Sequence, residues 1–210
     1  IGLVTSPILY YAAKKNPSKS GVMITGSHNP KDDNGIKMVI NDKPVSGTEI
    51  LELCKSLPDL GESREEISNI DIIDDYIEDI SNKIKLKNPE EIKVVIDCGN
   101  GAAGCVAPKL FKKLGCNVVN LFSEIDGNFP NHHPDPGKLE NLQDLIKSVI
   151  AEKADLGLAF DGDGDRVGLI SSDGEIVFPD KIMMLFAEDV LNKNMGGKII
   201  YDVKCSNHLS

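Results

Sequence analysis

The apolar run Leu156-Gly157-Leu158-Ala159-Phe160 breaks off at Asp161-Gly162-Asp163-Gly164-Asp165-Arg166, so a buried strand must end where three carboxylates follow at every second position. Like charges on one short loop repel unless a cation gathers them. An all-oxygen donor set suits a hard divalent ion such as Mg²⁺, Mn²⁺ or Ca²⁺ better than zinc. Gly162 and Gly164 free the backbone to curl, so that alternate carboxylates converge on one point. Beside that point Arg166 offers a planar fork suited to phosphate or carboxylate.

Several readings of this loop compete. An EF-hand requires Gly at its sixth position and Glu at its twelfth, where this chain has Arg166 and Ser172, which excludes it. A solvated acidic turn is the plainest alternative, since Asp-Gly pairs form turns readily. An aspartyl-phosphate enzyme of the haloacid-dehalogenase type, with Asp161 as nucleophile, is another, although Thr or Val usually stands there in place of Asp165. A non-catalytic metal-binding or regulatory module is the third.

The 210 residues are 40% hydrophobic and 27% charged, enough apolar matter for a core of one or two domains. A formal net charge of -10 argues against nucleic acid or an anionic membrane as partner, because both need clustered cations. An anionic substrate would need local relief from Arg166 and a metal. No stretch reaches the roughly 20 apolar residues that span a bilayer, and no signal pattern opens the chain, so a cytoplasmic location is expected. Cys54, Cys98, Cys105, Cys116 and Cys205 include no Cys-x-x-Cys pair, and most are expected to be small buried hydrophobes. The chain opens at Ile1 and closes seven residues after an expected strand, Lys198 to Val203, which reads as an interior piece of a longer protein.

Strands and helices alternate. Pro7 behind Thr5 and Ser6 starts a helix to Lys15. Gly21 to Thr25 reads as a buried strand and Ile36 to Ile40 as a second, with Lys37 on the face opposite Ile36 and Met38. A helix from Thr48 to Leu57 and a linker from Pro58 to Ser68 follow. Ile73, Tyr76, Ile77, Ile80 and Ile84 repeat at helical spacing. Val94 to Asp97 is a strand, Ala107 to Leu114 a helix, Asn117 to Phe122 a strand, and Leu142 to Ile150 an amphipathic helix. Val167 to Ile170 is expected to return antiparallel beside the acid-bearing strand. A helix after Pro179 carries Ile182, Leu185, Phe186 and Val190. The fold class is therefore α/β, in layered αβα domains with mixed, mainly parallel sheets.

A second loop, Thr25-Gly26-Ser27-His28-Asn29-Pro30, presents one hydroxyl. Ser27 beside His28 is not read as a hydrolase pair, since neighbours on a turn rarely aim at each other. A serine that carries a phosphoryl group would add one more hard oxygen to the cation of the acidic loop. Together these two loops, in this order, resemble the α-D-phosphohexomutase superfamily. The match through Gly127-Asn128-Phe129-Pro130-Asn131-His132-His133-Pro134-Asp135-Pro136 extends the resemblance over essentially the whole chain.

The resemblance implies a magnesium-dependent isomerase that interconverts hexose 1- and 6-phosphates, mannose or glucose, with glucose 1,6-bisphosphate as activator and intermediate. It implies Ser27 as phosphoserine, and Asp161, Asp163 and Asp165 as Mg²⁺ ligands together with the phosphoserine oxygen. His28 and Asn29 would shape the serine loop, Arg166 would contact phosphate, and Lys37, in Asn34-Gly35-Ile36-Lys37, would transfer a proton. The expected partner is a phosphosugar, with no nucleic acid, membrane or obligate protein partner. Of four family domains this chain would hold part of the first (1–71), all of the second (72–173) and the opening of the third (174–210), and alone it should not turn over substrate. Phosphoglucosamine mutase is the rival within the superfamily, usually carrying Ala-Ser-His-Asn-Pro where Gly26-Ser27-His28-Asn29-Pro30 stands here. Gly99 to Gly104 is read as a tight structural turn, and His132, His133 and Asp135 as an ordered surface loop.

Overall fold

In the computed structural model, which describes residues 1–56 and 67–209, side-chain alternation along one strand organises the larger part of the molecule. Strand β4 (Lys93–Asp97) points Val94 and Ile96 to one face and Val95 to the other, all three buried. On the first face lie α4 (Ala107–Lys113) and the short turn Ala102–Cys105; on the second lies α5 (Gln143–Glu152) with Leu145 and Val149. The sheet between them has the order β5-β4-β6-β7-β8, with β5 Asn117–Leu121, β6 Leu156–Phe160, β7 Val167–Ser171 and β8 Ile176–Val177. Gly157 in β6 lets α5 approach closely, because a Cβ there would sit 2.6 Å from Val149 Cγ2.

The smaller part carries the sheet β1-β2-β3, from β1 Gly21–Ile24, β2 Ile36–Ile40 and β3 Lys43–Pro44, with α1 (Ser6–Lys15) against β1. Helix α2 (Gly47–Ser56) buries no residue. Val4 and Ile8 pack with Val106 and with Ile72 and Ile77 beside and within α3 (Ile73–Lys83), which joins the two parts through one apolar cluster. Helix α6 (Pro179–Lys193) leaves Leu185, Phe186 and Val190 exposed. Among the described residues no helix is long and apolar enough to cross a membrane.

The sheets are mixed, as expected, but parallel pairing is confined to β5-β4-β6; β6-β7-β8 and the whole small sheet are antiparallel. Three expectations need correction. Strand β1 is not buried: Val22 and Ile24 are 57% and 65% exposed, because among the described residues nothing covers that face. Lys198 to Val203 forms no strand; Ile200 and Val203 stand in solvent, and a strand needs a hydrogen-bonded neighbour. Only Cys98 and Cys116 of the five free cysteines are buried, and burial pushes the Cys98 thiol up to about 12. The expected end of α2 at Leu57 and most of the Pro58 to Ser68 linker lie outside the described residues.

Candidate active site

Strand β6 ends at Phe160, and the acid loop that follows meets the N-terminus of α1 and the loop between β1 and β2. The Ser6 amide donates to the Asp163 carbonyl at 2.8 Å, so the positive end of the helix dipole faces the acids. Asp161 is fully buried and Asp163 nearly so, while Asp165 is exposed. One ligand oxygen from each lies within 4.8 Å of the others. Asp161 Oδ1 accepts the backbone N–H groups of Asp165 and Arg166, each at 3.0 Å.

Asp163 divides its two oxygens unequally. Oδ2 accepts from Ser6 Oγ at 2.8 Å, Thr25 Oγ1 at 3.1 Å and Lys37 Nζ at 2.6 Å. Oδ1 is buried with no partner, the one such side-chain atom among the described residues. A buried carboxylate oxygen rarely stays unpaired unless something outside the chain satisfies it. With three acids converging and only oxygen donors, this set fits a hard divalent cation.

The charges are strongly coupled. Burial raises the Asp161 carboxyl above its usual range, and the nearby Asp163 and Asp165 add to this against the Arg166 amide and the Ser27 hydroxyl. Burial also acts upward on Asp163, but hydrogen bonds from Lys37, Ser6 and Thr25 outweigh it and hold that carboxyl low. For Lys37 burial acts downward, and the bonds to Asp163 and to Asp165, at 2.7 Å, overcome it and keep the ammonium charged.

Ser27 Oγ donates to Asp161 Oδ2 at 3.0 Å across 134 residues of sequence. Its backbone is left-handed, φ 52°, a conformation that strains a non-glycine residue by about 1–3 kcal/mol and persists only under outside constraint. The constraints are visible. The Ser27 amide donates to Thr25 Oγ1 at 2.8 Å, the Asn29 amide to the Gly26 carbonyl at 2.9 Å, and His133 Nε2 to the His28 carbonyl at 2.5 Å. Gly162 closes the far side, where an added Cβ would lie 2.1 Å from the Ser27 carbonyl oxygen.

Ser27, Lys37, Asp161, Asp163 and Asp165 are thus in one cluster. Contrary to expectation, His28 does aim at its neighbour: Nδ1 lies 3.2 Å from Ser27 Oγ, because the left-handed turn folds the two side chains together. Among the described residues no carboxylate orients that ring, so a hydrolase relay is still not formed. Arg166 joins the cluster only through its amide; the residue also lines a separate cavity of about 380 Å³ with Asp135, Pro136 and Phe178, and its guanidinium pairs with no described side chain. His132 and His133 are half-buried instead of lying on the surface, since both rings are engaged in hydrogen bonds. Gly99 to Gly104 is a turn, with Gly101 donating to the Cys98 carbonyl. Sequence reasoning missed Ser6 and gave Thr25 and His133 no role. A hydroxyl in a first helical turn looks like any other helix start.

Residues 1–60 match the family described as phosphoglucomutase/phosphomannomutase, alpha/beta/alpha domain I, and residues 74–174 match alpha/beta/alpha domain II of the same family. The chain belongs to the α-D-phosphohexomutase superfamily. Within the superfamily it is similar to the phosphomannomutase/phosphoglucomutase of Pseudomonas putida, at 54% identity over 100% of this chain and 45% of that protein. It is 49% identical to the phosphoglucomutase of Neisseria gonorrhoeae, over 100% of this chain and 46% of that protein. A crystal structure of a phosphoglucomutase/phosphomannomutase family protein from Burkholderia thailandensis superposes with a TM-score of 0.88 at 47% identity, over 98% of this chain and 47% of that one. The chain therefore spans about half the length of the superfamily relatives it matches.

Proposed function

We propose that this chain supplies the phosphoryl-carrying serine and the cation-binding loop of a phosphohexomutase that interconverts hexose 1- and 6-phosphates, with mannose or glucose as the sugar. The observation that carries the reading is the hydrogen bond from Ser27 Oγ to Asp161 Oδ2, inside a cluster that also contains Asp163, Asp165 and Lys37. The names of the Pseudomonas and Neisseria relatives support the sugar class.

Asp161, Asp163 and Asp165 would hold Mg²⁺, with Asp163 Oδ1 as the oxygen most in need of a partner. The ion, when bound, supplies positive charge beside the transferring phosphoryl group. Ser27 Oγ gives up the phosphoryl group as its P–O bond breaks and a bond to the sugar hydroxyl oxygen forms. The hydroxyl proton passes to a base, and Lys37 is the candidate once it loses its proton; as an ammonium paired with two carboxylates it is an acid. Arg166, whose guanidinium pairs with no described side chain, would meet substrate phosphate. We assign 1–71 to a first domain, 72–173 to a second and 174–210 to the opening of a third. The 210 residues alone would bind the cation without turnover, and the full-length protein would act in the cytoplasm on a phosphosugar, with no nucleic acid, membrane or protein partner required.

Incubating the full-length protein with glucose 1,6-bisphosphate should add one phosphate, mapped to Ser27 and absent from Ser27→Ala. A phosphate trapped on Asp161 in its place would sink the reading in favour of an aspartyl-phosphate enzyme. Assays with the 1-phosphates of mannose, glucose and glucosamine test the sugar class, and Mg²⁺ titration of Asp163→Ala should lose most of the wild-type affinity.

A further inference from the structure

We propose that His133 is a positioning residue that fixes the Ser27 turn from the larger part of the molecule. Its ring donates from Nε2 to the carbonyl oxygen of His28, 105 residues away in sequence and directly after Ser27. A carbonyl only accepts, so the proton sits on Nε2. Phe129 meets the ring edge-on, with centroids 6.2 Å apart, and limits its rotation. The backbone of His133 is held in turn. His132 donates from Nδ1 to the His133 carbonyl and from Nε2 to Asp97 Oδ2, both at 3.0 Å. Asp97 is fully buried at the end of β4, where its other oxygen accepts the Gly99 amide at 2.9 Å.

A continuous path therefore runs from the end of β4 through Asp97, His132 and His133 to the His28 carbonyl. Among the bonds that hold the turn, this one reaches it from the core of the larger sheet without passing through the acid loop. His133 has no hydrogen bond to Ser27 Oγ or to any of the three aspartates, so it acts through the backbone. Without the donor, the strained φ at Ser27 is free to relax and Oγ to swing away from Asp161. The bearing on turnover rests on the phosphoserine reading; the bearing on the turn does not.

The test compares wild type, His133→Phe and His133→Gln in the full-length protein. Phenylalanine keeps the ring without a donor, and glutamine keeps an N–H donor. Amide hydrogen exchange over Ser27 to Asn29 should speed up about tenfold in His133→Phe, the factor that loss of an ordinary hydrogen bond gives. Exchange in β4 should stay unchanged, and His133→Gln should regain most of the protection. In turnover, kcat should fall while KM for the sugar phosphate stays within about twofold, as for a lost interaction that matters only in the transition state. Unchanged exchange at Ser27 to Asn29, equal acceleration in β4, or a glutamine variant as impaired as phenylalanine would overturn the proposal. If His133→Phe does not fold, ¹⁵N-histidine spectra of the wild type decide: a protected Nε2 proton supports it and an unprotonated Nε2 defeats it. A protein that takes no phosphate on Ser27 yet gives the exchange pattern refutes the mutase reading alone.

Discussion

The two sheets reach the same site by different means. The five-stranded sheet has a core closed on both faces, and its acid loop follows a strand whose neighbours are buried. The three-stranded sheet exposes Val22 and Ile24, and its helix α2 buries nothing. Yet the smaller part presents Ser27 in a strained conformation that needs firm support. That support comes from Gly162, Asp161, Asp163 and His133, all in the larger part. Stability and positioning are thus separable here: one region supplies the fold, and contact with it supplies the geometry of the other.

The largest effect should fall in the closed core. Leu145→Ala, at a fully buried position against β6, should lower stability by about 2–5 kcal/mol in urea unfolding. Gly162→Ala should act first on the site, because the added methyl meets a backbone carbonyl and must force the Ser27 turn aside at some cost in stability. If Ser27 carries the phosphoryl group as proposed, transfer in the full-length protein should then drop by about 100-fold, the usual result of misplacing a reacting group by an ångström. If Gly162→Ala unfolds the protein as Leu145→Ala does, the separation between the two regions is broken.

His132 gives a smaller, pH-dependent effect. Burial acts to lower its pKa, but Asp97 and the His133 carbonyl outweigh this and raise it above the ordinary imidazole value. Both ring nitrogens face acceptors, which suits the doubly protonated form. A raised folded-state value means the contribution is complete below the unfolded pKa of about 6.5 and fades as pH rises through the higher folded value. Thermal melts should show the wild-type advantage over His132→Gln as largest near pH 5.5 and reduced by pH 8.5; an advantage growing with pH would contradict the assignment. The smallest change belongs to Leu51→Ala in α2, 64% exposed, which should cost under about 0.5 kcal/mol. A larger loss in the full-length protein would mean that α2 is covered by residues other than those described.

The larger sheet was readable because Val94 to Asp97 and Leu156 to Phe160 are apolar runs ending in turn residues, and because Leu142, Leu145 and Val149 repeat at helical spacing. Strands β3 and β8 were not, since two residues carry no periodicity. Lys198 to Val203 has the composition of a strand, but composition does not supply the neighbour it needs. In the site, the acids announced themselves by spacing and Ser27 by the motif Thr25-Gly26-Ser27-His28-Asn29-Pro30. Ser6 did not, because its partner Asp163 is 157 residues distant. His133 binds a backbone carbonyl, and a carbonyl leaves no trace in residue identity.

The contact between Gly162 and the Ser27 carbonyl has a consequence for the order in which this protein becomes competent. A growing polypeptide exposes the serine long before the residues that bend it into shape have been synthesised, and contacts so remote along the chain form late. Until then Ser27 lacks its left-handed turn and its bond to Asp161, and both are acquired together with the completed tertiary structure.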